Sequence, residues 1–159
     1  MAKLSKKNPK FRTKDQMVND VHGLLNSDFA SEGLIREAIH TICWTWTQHE
    51  GKYAGCPNFS PEAAKIPEAE WCGKNVIHEH IVPKTIIINY LMNTRKLSKA
   101  KIREYFDTHL IGVIVTKEED LRLNSLGLRQ KMPAGFTDEN HELFADPFAR
   151  HKTANIQLV

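Results

Sequence analysis

The stretch Asn75-Val76-Ile77-His78-Glu79-His80-Ile81-Val82-Pro83 decides how the rest of the chain is read. Val76, Ile77, Ile81 and Val82 favour an extended backbone, and Pro83, which has no ladder donor, ends it. Three ionisable residues interrupt this otherwise apolar strand. Alternation along an extended chain sends His78 and His80 to one face and Glu79 to the other. Burying such a cluster for packing alone is costly, because each group must find a partner or lose its charge. A strand that opens into a loop at Pro83 is also where rigid backbone can present functional groups. The plainer alternative is a satisfied histidine pair at a strand end.

Downstream, the aliphatic run Thr85 to Met92 predicts a helix. Ser98 caps another over Lys99 to about His109, burying Ile102, Tyr105 and Phe106. Ile111 to Val115 reads as a second strand, interrupted only by Gly112. Thr116 then opens a well-signalled helix, with Glu119 three residues on completing a capping box and Gly127 at the C-terminal stop. Leu121, with Leu123 and Leu126, is expected to face inward. After Met132-Pro133 the periodicity weakens, and the tail is expected to wrap the surface.

Upstream, Met17, Val18, Val21, Leu24 and Leu25 fall on one face of a helix over roughly Lys14 to Leu25. A longer helix from Ser31 to about Gln48 carries a wide core stripe of Leu34, Ile35, Ala38, Ile39, Ile42, Cys43 and Trp46, ended by Gly51. His40 and His49 on this segment read as structural or solvated. The punctuated stretch Gly51 to Gly73 holds one short helix start, with Ser60 as cap and Pro61 at the first helical position. Cys56 and Cys72 lie there without a C-x-x-C pair, so no zinc site is expected from them.

Composition bounds the class. At 159 residues the chain fits one domain with a real core. It contains no apolar run of about eighteen residues, so no membrane partner is expected. Three cysteines at unrelated spacings make no disulfide framework and point to a reducing, cytoplasmic setting. Six cations precede the first acidic residue, Asp15, which against the overall +3 leaves −3 for residues 15–159. Residues 1–14 therefore read as a basic disordered arm suited to phosphate attraction, and 15–159 as a single folded unit.

Asp120 and Asn124 stand four apart on the capped helix and so share a face. With Glu79 they offer hard oxygen donors, which suit magnesium, manganese or calcium better than a thiolate-loving metal. The order of these parts resembles the HNH (β-β-α-metal, His-Me finger) endonuclease family. Glu79-His80-Ile81-Val82-Pro83 is close to the family's Asp-His-Ile-Val-Pro type of first motif. Val113-Ile114-Val115-Thr116-Lys117-Glu118-Glu119-Asp120 looks like its strand-turn-helix closing segment. The resemblance covers residues 75–127 and implies an α+β fold: a helical N-terminal half packed on a ββα-metal (HNH-like) finger.

It also implies roles. His80 would be the general base on water, Glu79 a ligand of one divalent ion (Mg2+ or Mn2+, with Zn2+ as the alternative), and Asp120 or Asn124 the helix-borne ligand. His78 and Lys84 would contact substrate, a nucleic acid, DNA rather than RNA, and a homodimer would suit double-strand cutting. Phosphodiester hydrolysis needs a base near neutral pH and positive charge at the transition state, which a histidine and one divalent ion divide between them. The chain departs from the family where a middle asparagine is expected before the second strand: Ile111 and Gly112 stand there instead. Two other readings stay open, a catalytically inactive nucleic-acid binder on the same fold and a zinc hydrolase using His78 and His80.

Overall fold

A computed structural model describes residues 13–49, 51–53, 56–94 and 96–159; most of the basic arm, residues 1–12, lies outside the described residues. Thr13 is the N-cap of α1 (Lys14–Leu25), in a capping box with Gln16, so the first described residues already belong to a helix. Next come α2 (Glu32–Thr47), capped by Ser31, and the short α3 (Pro61–Ala64), capped by Ser60. β1 (Val76–His80) is followed by α4 (Lys84–Asn93) and by α5 (Lys99–His109), capped by Ser98. β2 (Gly112–Thr116), α6 (Lys117–Ser125) and α7 (Ala149–Thr153) complete the order. The class is α+β: helices around a two-stranded antiparallel sheet.

β1 and β2 pair antiparallel from Val76↔Thr116 to His80↔Gly112. Phe59 extends the sheet edge by bridging Ile114, and its backbone also exchanges two hydrogen bonds with Val159. The principal core gathers Met17 and Val21 of α1, Ile39 and Trp46 of α2, Ile87 and Leu91 of α4, Phe106 of α5, and Val113 and Val115 of β2. Burying each aliphatic side chain of this kind contributes roughly 1.5–3 kcal/mol, and the summed helix faces hold the thin sheet in place. No helix among the described residues is long and apolar enough to cross a membrane.

Three expectations change. Leu34, placed on the α2 core stripe, is 55% exposed; Ile35, Ile39, Ile42 and Cys43 form a narrower stripe that already covers the contact with α1 and α4. Leu121 is 63% exposed and Leu126 is also exposed, whereas Leu123 and Glu119 are buried. The inward face of α6 is set by the capping carboxylate of Glu119 and by Leu123 one turn later, which leaves Leu121 two residues round the helix in solvent. Glu119 Oε2 accepts from the Thr116 amide at 2.8 Å and from the Ser60 hydroxyl at 2.6 Å, so one carboxylate ties the starts of α6 and α3 together. The tail, finally, does more than wrap the surface, since α7 buries Ala149, Arg150 and His151.

Candidate functional site

β1 is buried at Val76, His78 and His80 and half-buried at Ile77 and Glu79, as strand alternation requires. The two histidines face the C-terminal turn of α2. His78 Nε2 lies 3.3 Å from the carbonyl of Thr47, one of the last-turn acceptors left open when a helix stops. His80 Nε2 lies 3.1 Å from the Thr47 hydroxyl. The Trp44 ring meets His80 edge-on with centroids 4.6 Å apart, and Lys84 Nζ sits 3.6 Å over that same ring. The backbone allows this close packing because residue 112 has no side chain: a Cβ on Gly112 would stand 2.5 Å from His78 Nε2.

Electrostatics follow from burial. Burial pushes the His78 imidazole down to about 4, with the Thr47 carbonyl opposing and Lys52 and Lys84 adding to the shift. His80 is pushed to about 3, first by burial and then by the repulsion a protonated ring would meet from a protonated His78, from Lys84 and from Arg150. Both rings are therefore neutral at physiological pH. Lys84 is itself lowered by burial, against the opposing pull of Cys43 and Glu79. A cleft of about 280 Å³ between α2 and α4 is lined by Arg36, Glu37, His40, Thr85, Ile88 and Asn89.

Glu79 points the other way, toward α7. Its Oε1 accepts from Arg150 Nη2 and from the His80 amide. Arg150 is fully buried, and its guanidinium fork also donates to the carbonyls of His80, Ile81 (3.0 Å) and Leu128 (2.9 Å). Arg150 thus links the end of β1 to the exit of α6, because Leu128 follows that helix. A side chain seventy-one residues from Glu79 in a weakly periodic tail carries no local sequence signal, and sequence reasoning missed it.

On α6, Asp120 and Asn124 are half-buried and joined by an Asn124 Nδ2 donation to Asp120 Oδ2 at 3.1 Å. Asn124 Oδ1 is buried with no hydrogen-bond partner. Buried acceptors are normally satisfied, so an orphan of this kind carries a penalty of roughly 1–3 kcal/mol unless something fills it. A hard cation fits an amide oxygen beside a carboxylate. Among the described residues no group of three or more His, Cys, Asp or Glu is arranged to hold a metal ion; of the expected ligands, Asp120 and Asn124 are in contact, while Glu79 is engaged by Arg150.

Of the residues singled out from sequence, the structure brings together His78, His80 and Lys84 around Trp44 and Thr47, and separately Asp120 with Asn124. Glu79 stands apart from the histidines, on the opposite face of their strand. Beside Gly112, Asn58 from the loop before α3 donates its side-chain amide to the Gly112 carbonyl, and its own carbonyl accepts from the Ile114 amide. Its spacing from β2 in the sequence gave no warning. No protein-family model, no curated protein and no solved structure matches this chain.

Proposed function

We propose that the chain is a metal-dependent endonuclease, an HNH-like ββα finger that hydrolyses phosphodiester bonds of nucleic acid, DNA in preference to RNA. The order β1, β2, α6 supports this reading, as does the antiparallel pairing of the strands. The observation that carries it is the unpartnered Asn124 Oδ1 beside the Asp120 carboxylate, because a hard cation satisfies both oxygens at once. Glu79, held by Arg150, is the ligand offered from β1. A bound magnesium or manganese ion supplies positive charge for the transition state and the leaving oxygen.

His80 supplies the base in this reading. Its ring is already unprotonated, but a strongly lowered pKa also weakens its hold on a proton. A phosphate drawn to Lys84 would offset only the smaller, charge-borne part of that shift, since burial is its first cause. The cleft between α2 and α4, which reaches Thr85 next to Lys84, offers Arg36 and His40 to a nucleic-acid backbone, with Glu37 opposing it on the same wall.

Metal titration of cleavage tests the proposal. Asn124→Ala should raise the Mg2+ or Mn2+ concentration for half-maximal cutting by about 10- to 100-fold, the usual scale for a disturbed metal shell. Cleavage that is undiminished in EDTA, or an Asn124→Ala enzyme with unchanged metal demand, would remove the ion from α6.

A further inference from the structure

Thr47 ends α2 and touches both histidines of β1. Its carbonyl lies 3.3 Å from His78 Nε2, and a carbonyl can only accept. That nitrogen therefore carries the ring proton of His78, which leaves the bare lone pair on Nδ1, the buried atom without a partner. The hydroxyl of Thr47 has a different task. It has a single proton, and that proton has acceptors back along the helix in the carbonyls of Cys43 (3.3 Å) and Trp44 (3.5 Å). A helical threonine donates in this direction as a matter of course.

A hydroxyl whose proton is so committed meets His80 Nε2, 3.1 Å away, as an acceptor. An acceptor in that position calls for an N–H at Nε2. The hydrogen bond made by one nitrogen decides which nitrogen of an imidazole stays basic. We propose that Thr47 is the positioning residue of His80, holding it as the Nε2–H tautomer so that Nδ1 is the nitrogen that takes a proton from water. The second half of the statement rests on His80 as the base; the first does not.

Long-range proton–nitrogen correlation of the imidazole rings, on the whole 15N-labelled chain without metal or nucleic acid, reads the tautomers. Wild type and Thr47→Ser are expected to show His80 as Nε2–H. The isosteric Thr47→Val removes the acceptor and should move His80 toward Nδ1–H, while His78, held by a backbone carbonyl, keeps its Nε2–H signal. The His78 signal also reports that the end of α2 is still docked. An Nδ1–H ring at His80 in wild type overturns the proposal, and so does an unchanged His80 in a folded Thr47→Val. The wild-type spectrum decides even if that variant fails to fold.

The same proteins in a cleavage assay separate the two claims. Thr47→Val should lower kcat about tenfold with KM nearly unchanged, and Thr47→Ser should restore it. Cleavage by Thr47→Val at the wild-type rate would overturn the positioning role. Correct tautomers in a wild type that cuts nothing would instead remove the nuclease reading and leave the control of the His80 proton by Thr47 standing.

Discussion

The two faces of β1 handle polar residues in opposite ways. On the α2 side, His78 and His80 are buried by becoming neutral, each with a ring nitrogen against Thr47 and a ring edge near Trp44. On the α7 side, Glu79 keeps Arg150 as a partner, and the guanidinium is satisfied around its whole fork. A histidine can discard its charge near neutral pH at little expense, whereas an arginine cannot and must be matched oxygen by oxygen.

The charged face should break hardest. Arg150→Ala leaves Glu79 half-buried without its partner and strips the carbonyls of His80, Ile81, Leu128 and Arg129 of their donor, so urea unfolding should show a loss of about 3–5 kcal/mol. Arg150→Lys keeps the charge but not the fork and should fall between the two. A loss under about 1 kcal/mol in Arg150→Ala would mean that the pair is peripheral to the fold.

The neutral face should break with acid. His78, His80 and His151 have folded pKa values pushed down to about 4, 3 and 3, by burial in each case, from an ordinary 6.5. Between pH 6.5 and those values the unfolded chain binds protons that the folded chain refuses. Stability is therefore full above pH 6.5 and drops as pH falls, by about 2 kcal/mol per histidine at pH 5. His151 gives a test outside β1 itself, since it lies on α7 and neither of its ring nitrogens has a partner. His151→Leu should lose one histidine's share of the acid sensitivity in pH-dependent melting; an unchanged pH slope would contradict the burial argument.

Smaller effects sharpen the contrast. Gly112→Ala drives a methyl into the His78 ring and should destabilise by about 1–3 kcal/mol, with His78 ring signals shifted and the Glu79–Arg150 side little changed. Thr116→Ala removes one half of the α6 capping box and should lose about 1 kcal/mol. Leu121→Lys, on the solvent side of α6, should stay within about 0.5 kcal/mol by thermal melting.

What could be read from sequence follows the range of the interactions. Caps were legible, because Thr116 with Glu119, Ser98 and Ser60 act within three residues and repeat a known chemistry. The division of His78 and His80 from Glu79 was legible too, since a strand has a period of two. Leu121 misled because an apolar residue in a short helix does not reveal which face is buried when a carboxylate, Glu119, occupies the inner one. Gly112 read as an interruption, yet it is the gap into which His78 fits. Arg150, Thr47 and Asn58 reach the site from 70, 33 and 54 residues away, and no periodicity connects such distances. The unpartnered oxygen of Asn124 is a property of packing alone.

The central claim is tested most directly by supercoiled-plasmid and single-strand cleavage in Mg2+, Mn2+ and EDTA, with wild type beside a His80→Ala protein whose fold is verified by circular dichroism. Metal-dependent cutting that disappears in the folded variant is the predicted result. Failure of the wild type to cut in either metal, or equal cutting by His80→Ala, would contradict the account.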